Sequence, residues 1–197
     1  MADEPPDLDQ RLVDAIERVG DAARAMLRRA AAAEGLTPTQ TQLLLRITSD
    51  TAPAQGTGTL ASWLEVTAPT VSDAVQALAR KGLAERVPDA TEPRRRVWSA
   101  TPAGLQAAAR LRGWRDPLLT ALGDQRDGAK AGALSLLLTT IAALNARGLI
   151  STARTCLTCR FFSGEPDGEA WCALLETPLV PATLRVDCPE HCPVSSA

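Results

Sequence analysis

Residues 67–100 read Thr-Ala-Pro-Thr-Val-Ser-Asp-Ala-Val-Gln-Ala-Leu-Ala-Arg-Lys-Gly-Leu-Ala-Glu-Arg-Val-Pro-Asp-Ala-Thr-Glu-Pro-Arg-Arg-Arg-Val-Trp-Ser-Ala. Val71, Ala74, Val75 and Leu78 recur at the spacing of one buried helical face. Thr67 stands where a cap belongs and Pro69 in the first turn. Gly82 closes the helix as a left-handed glycine would. Thr70, Ser72, Asp73, Gln76 and Arg80 are left on the outer face. Residues 83–87 read as a strand, 88–93 as a turn and 94–100 as a returning strand. The result is a hairpin with a basic edge formed by Arg94, Arg95 and Arg96.

Working outward, Leu60-Ala-Ser-Trp-Leu64 predicts a short amphipathic helix just before this stretch, preceded by a Pro/Gly/Thr-rich loop over 51–58. Thr37-Pro38-Thr39-Gln40 predicts a capped helix start running through Leu43, Leu44, Leu45 and Ile47. Leu12, Ile16, Val19, Ala23 and Met26 form a single stripe on a long helix over 7–33. On the other side, Thr101-Pro102 opens a long helix with Leu105, Ala108, Leu111, Leu118 and Leu122 on one side, and Pro117 is a candidate kink. Residues 130–146 predict a helix whose apolar face, with Leu134, Leu137, Leu138, Ile141 and Leu144, is broad enough to pack on a partner subunit or a second helix. The fold class expected is mainly α with a small β-hairpin wing. A winged helix-turn-helix domain spans 1–150, with dimerisation helices at both of its ends, and a small cysteine-rich module spans 151–197.

Helix, helix, turn, helix and hairpin is an arrangement that reads DNA. A helix with small polar residues outside enters the major groove, while a basic hairpin meets phosphate or the minor groove. The charge pattern agrees. Residues 80–115 carry nine Lys/Arg against three acids, whereas residues 1–36 carry eight acids against five Arg. A solvated surface gives the same counts, and helix-turn-helix shapes also dock proteins. The candidate DNA contacts are Thr70, Ser72, Asp73, Gln76, Arg80, Arg94, Arg95 and Arg96.

On Leu60-Ala-Ser-Trp-Leu, Ala68-Pro-Thr-Val-Ser-Asp-Ala-Val, Leu78-Ala-Arg-Lys-Gly-Leu-Ala-Glu-Arg-Val and Arg95-Arg-Val-Trp-Ser-Ala-Thr-Pro-Ala-Gly, the chain resembles the MarR family of bacterial transcription regulators over residues 8–148. The resemblance implies a homodimer built from the first and last helices and a pseudo-palindromic double-stranded DNA operator. The family usually carries Asp-x-Arg in the wing. Here the run is Asp89-Ala-Thr-Glu-Pro-Arg-Arg-Arg, which leaves open which Arg takes that part.

Every cysteine lies in the last quarter: Cys156, Cys159, Cys172, Cys188 and Cys192, with the only histidine, His191, beside the last. Clustered thiols in a reducing cytoplasm, the compartment expected here, hold metal more often than disulfides. The opening Met-Ala-Asp-Glu-Pro-Pro-Asp has no secretory pattern, and no membrane span is expected. The first-choice ligands are Cys156, Cys159, Cys172 and Cys188, with Cys192 as the spare. The lone C-x2-C knuckle, with the remaining thiols arriving singly, favours a [4Fe-4S] cluster; a structural Zn2+ is the alternative. The spacing also looks like that of high-potential iron–sulfur proteins over about 35 residues. Phe161, Phe162 and Trp171 either shield such a group or simply pack a small domain. Acid–base candidates are too few for an enzyme. The reading is a homodimeric transcription regulator, a repressor by expectation, that senses redox or cluster status. One rival is a regulator answering to a small apolar or phenolic ligand, with structural zinc in the tail. A second is an electron-transfer or scaffold protein.

Overall fold

The computed structural model describes residues 7–49 and 55–194. Helix α1 (Leu8–Ala33) starts where the Asp7 carboxylate accepts the Leu8 amide at 2.7 Å. Helix α2 (Pro38–Ile47) carries the full capping box: Thr37 accepts the Gln40 amide, and the Gln40 side chain accepts the Thr37 amide. Helix α3 (Thr57–Leu64) begins inside the segment the sequence assigns to a loop, because Gly56 serves as its N-cap. Residues 51–54 of that loop lie outside the described residues. Helix α4 (Ala68–Arg80) buries Val71, Ala74, Val75 and Leu78, the four positions the periodicity selects.

Strands β1 (Ala84–Pro88) and β2 (Arg96–Ala100) pair antiparallel, from Ala84 opposite Ala100 to Pro88 opposite Arg96. Arg94 and Arg95 therefore belong to the turn, not to the strand. The long helix expected after Thr101 is broken. Helix α5 (Pro102–Leu111) passes through a 3-10 turn (Arg112–Arg115) into α6 (Asp116–Gly123). Pro117 has no N–H and its ring crowds the carbonyl four residues back, so the chain tightens ahead of it. The expected inner face holds at Ala108 and Leu111 but not at Leu105, which is 53% exposed, or Leu122; Gly104 and Ala107 face inward in their place.

Gly104 has a steric reason to be glycine. A Cβ there would stand 1.9 Å from the Leu83 carbonyl oxygen. That backbone contact seats α5 on the root of the wing, where Thr101 Oγ1 also donates to Gly82 O at 2.6 Å. One core unites these elements, with Leu43, Leu44, Leu60, Val71, Val75, Leu78, Trp98 and Leu111 among its buried members.

Helix α7 (Asp127–Ala146) is long and apolar enough to cross a membrane by length and composition alone. Here it carries the tail instead. Leu138, fully buried, joins Leu179 and Leu184 in a second core, flanked by Leu134, Ile141, Leu157, Phe162, Cys156 and Cys172. The tail adds a three-stranded antiparallel sheet that the sequence pattern does not announce: β3 (Phe162–Gly164), β4 (Ala170–Cys172) and β5 (Thr177–Leu179), in that order. Ser135 Oγ fastens α7 to this module by donating to Pro166 O at 2.8 Å.

Candidate nucleic-acid interface and cysteine module

Thr67 caps α4 by accepting the Thr70 amide at 3.3 Å, and the two hydroxyls lie 2.8 Å apart. Burial of the opposite face leaves Thr70, Asp73, Gln76 and Arg80 exposed and Ser72 half-buried. Gln76 Nε2 donates to Ser72 Oγ at 3.0 Å, so these two residues form one polar surface a turn apart on the helix. All five helix positions named from the sequence thus share the solvent side.

The wing separates its three arginines. Asp89 is buried, and its Oδ1 accepts the Thr91 amide at 2.9 Å and the Thr91 hydroxyl at 2.8 Å. Those bonds hold its carboxyl below the ordinary 3.8. Arg95 folds back, with its guanidinium 3.8 Å from the other Asp89 oxygen. Arg96 reaches across the ladder to donate to Arg86 O at 3.0 Å. Arg86 in turn stacks over Trp98 at 5.4 Å. Among the described residues Arg94 has no hydrogen-bond or ion-pair partner. Of the three, it is the one whose guanidinium is free for a phosphate or a groove.

All five cysteines are free and half-buried around the small sheet. The knuckle closes with the Cys159 amide donating to Cys156 O at 3.0 Å. Cys172 pairs with Phe162 across β3 and β4. Arg185 lies between two of the thiols: its backbone N–H donates to Cys156 Sγ at 3.2 Å, and its guanidinium stands 3.6 Å from Cys188 Sγ. Cys192 comes to the other end of the knuckle, where its carbonyl accepts the Arg160 amide at 2.9 Å. Burial pushes the Cys188 thiol up, and that thiol donates to Glu190 at 3.3 Å. Among the described residues no three His, Cys, Asp or Glu side chains converge on one point as a single metal ion requires. His191 turns to Thr158, its Nε2 lying 3.0 Å from the hydroxyl and 3.1 Å from the carbonyl; burial pushes its pKa down. Of the aromatics, Phe162 packs on the second core, while Trp171 is 43% exposed.

Residues that sequence reasoning passed over join the tail to the winged helix. Arg46 of α2 is buried and donates to Asp187 Oδ2 at 2.5 Å. Glu65, in the left-handed conformation at the end of α3, accepts the Ser151 amide at 2.6 Å, the Ser151 hydroxyl at 2.9 Å and the Thr152 amide at 3.0 Å. A charged residue inside the apolar run Leu43–Ile47 is the one sequence signal that pointed to Arg46. Beside it opens a cavity of about 450 Å³, lined by Arg46, Trp63, Arg112, Trp114, Arg115 and Asp187.

No protein-family model matches the sequence, and no curated protein matches it. Solved structures do. The Staphylococcus aureus MepR–DNA complex superposes with a TM-score of 0.58 at 18% identity, covering 66% of this chain and 94% of that one. A point mutant of S. aureus MepR gives 0.53 at 19% identity, covering 71% of this chain and 99% of that one. MepR, described as a transcription regulator of the S. aureus multidrug efflux pump MepA, gives 0.51 at 18% identity, covering 66% and 96%. These neighbours are matched over nearly their whole length, while about a third of this chain has no counterpart in them. The likeness establishes the fold: a mainly helical winged helix with a small antiparallel wing, of the kind seen in MepR.

Proposed function

We propose that this protein is a homodimeric DNA-binding transcription regulator, acting as a repressor, whose cysteine module reports redox or iron–sulfur status. The observation that carries DNA binding is the polar, solvent-facing side of α4, with Thr70, Ser72, Gln76 and Arg80, in a chain whose wing turn holds Arg94 without a partner among the described residues. Small polar side chains on an exposed helix face reach base edges, and a wing arginine supplies a phosphate or minor-groove contact. Dimerisation is supported by large apolar side chains left exposed: Leu8, Leu12, Val13, Ile16 and Val19 on α1, and Leu136 and Leu137 on α7.

The single C-x2-C knuckle, with the other thiols arriving singly along the chain, favours a cluster over a lone zinc. A four-iron cluster takes each thiolate at its own iron, whereas zinc gathers four around one ion. Cys156, Cys159, Cys172 and Cys188 would hold it, with Cys192 adjacent to the knuckle as the alternative fourth ligand. Bound there, a cluster would supply one-electron and oxygen-sensitive chemistry. With a cluster bound, the N–H of Arg185 on Cys156 Sγ and its guanidinium near Cys188 Sγ would hydrogen-bond two of the ligating sulfurs. The cavity of about 450 Å³ with two tryptophans and three arginines favours a second reading, in which zinc staples the tail and a small apolar or phenolic ligand is the effector.

The deciding experiment is an absorption spectrum of protein purified without oxygen, with iron, sulfide and zinc assayed together. About four irons and four sulfides per chain with a broad band near roughly 400 nm are expected. A colourless protein with about one zinc would replace this reading with the second. For the DNA arm, duplexes are selected by the protein from a random-sequence pool. Failure to enrich any sequence, or binding that salt does not weaken, would refute it.

A further inference from the structure

Arg46 is 4% exposed, which is costly for a cation unless carboxylate and hydrogen bonds surround it. Its surroundings come from three parts of the chain. Asp187 supplies the carboxylate, from the residue next to Cys188. Trp63 of α3 lies under the guanidinium at 4.8 Å. The buried Gln55 amide, oriented to accept, stands 3.3 Å from Nε and 3.2 Å from a terminal nitrogen. The Gln55 carbonyl in turn accepts the Trp98 amide of β2 at 3.2 Å. One guanidinium thus ties the tail to α3 and to the wing.

Asp187 is held in place by the fold of the module. Arg154 Nε lies 3.4 Å from its second oxygen, and the Arg154 guanidinium donates to the Cys188 carbonyl at 2.7 Å. The Cys188 amide donates to Arg154 O at 2.9 Å, and the Cys156 amide to Arg185 O at 3.1 Å. A second grip lies two residues beyond Trp63, at the C-cap of α3. Glu65 takes three hydrogen bonds from Ser151 and Thr152, two residues ahead of the Thr67 cap of α4. Thr152 Oγ1 adds a bond to Ser62 O at 3.1 Å. Helix α3, whose buried Leu60 and Ala61 share the core with Val71 and Val75 of α4, is therefore held by the tail at two places.

We infer that Asp187 and Arg46, with Glu65 on Ser151–Thr152, are positioning residues that pass the state of the cysteine module to the reading helix and wing within one chain. The physical reason is the asymmetry of a buried ion pair: unfolding the module removes the carboxylate and leaves the cation buried alone. Arg46 must then turn to water, which releases Trp63 and Gln55 together. This deepens the proposed function, and its effect on DNA rests on that reading; the intrachain coupling does not.

The test uses the full chain in four forms: wild type, Asp187→Asn, Asp187→Glu, and Cys156→Ser combined with Cys159→Ser. Amide hydrogen exchange is followed over 57–66 and 97–99, with 105–111 as the control for a folded core. Asp187→Asn is expected to speed exchange at both sites about tenfold or more, the scale of a lost charge-assisted bond, without changing 105–111. Asp187→Glu restores part of the protection. The cysteine variant reproduces the pattern, and adding Asp187→Asn to it changes nothing further, because the same contact is already gone. Unchanged exchange at 57–66 in Asp187→Asn, or full additivity with the cysteine variant, overturns the inference.

The same proteins are then titrated with the duplex selected by the wild type. Asp187→Asn is expected to bind several-fold more weakly with the same salt slope, since no phosphate contact is removed. Equal affinity would show that the coupling stops short of the reading helix and overturn that part. If no duplex is selected at all, the DNA reading has failed and the exchange arm alone decides the contact.

Discussion

Replacing Gly104 by alanine and Gly132 by alanine should have opposite effects, and the contacts around each give the sign. At Gly104 the added Cβ meets the Leu83 carbonyl oxygen at 1.9 Å and its carbon at 2.9 Å. Real Cβ contacts stay beyond 3.0 Å, so α5 must move about 1.1 Å off the wing root, against backbone that cannot swing aside. Thr101 lies in the same junction, and its bonds to Gly82 O and Leu83 O stretch with that move. Overpacking of this kind costs about 1–3 kcal/mol, and the backbone partner places Gly104→Ala toward the upper end. For a chain of this size that lowers Tm by about 4–10 °C. At Gly132, inside α7, nothing lies within 4 Å of the new methyl. There alanine replaces the most flexible backbone in a helix interior and should add about 0.5–1 kcal/mol. Reversible thermal or urea unfolding of the two variants beside wild type reads both effects. A Gly104→Ala protein with an unchanged midpoint would refute the close seating of α5 on the wing. Loss of stability at Gly132 would instead place that residue under a partner subunit.

Two further outcomes follow from the site. Arg94→Ala should weaken DNA binding and reduce the salt slope by about one, whereas Arg96→Ala, which loses its bond to Arg86 O, should act mainly through wing stability; equal salt slopes for the two would contradict the assignment of Arg94 as the free tip. Glu65 is held below its ordinary 4.5 by the Ser151 hydroxyl, then by the Ser151 and Thr152 amides. Its folded pKa is lowered, so the tail grip is fully present above the ordinary 4.5 and is lost as pH falls through the depressed value. The backbone amide NMR shifts of Ser151 and Thr152 should therefore titrate together with a midpoint below 4.5, and Glu65→Gln should abolish that titration. A midpoint at or above 4.5 would show that the three hydrogen bonds do not form in solution.

Helices α2 and α4 are legible in the chain because each is written twice. Val71, Ala74, Val75 and Leu78 mark the inner face of α4, and Thr67 with Pro69 marks its start. Thr37, Pro38 and Gln40 do the same for α2. The reading-helix face follows by subtraction, since residues not needed inside are left outside. The pattern is silent where a residue's position depends on a break or on a distant partner. Leu105 has the right spacing for a long helix, but α5 is seated through Gly104 on the Leu83 carbonyl, which leaves Leu105 in solvent. Strands β3, β4 and β5 have three residues each, too short for alternation to register. Among three adjacent wing arginines, only the closure of the turn by Asp89 and Thr91 tells which one is free.

By itself the sequence determined the order of elements through the wing hairpin, the polar face of α4 and the segregation of all thiols into the tail, because these depend on local period, capping and composition. Tertiary structure alone decided that the tail shares a core with Leu138 and grips α3 at two places. It paired Arg46 with Asp187 across 141 positions and brought Glu65 to Ser151 across 86. No local propensity encodes such contacts. They form because a buried guanidinium and a carboxylate facing free amides take whichever partner the folded chain brings to them.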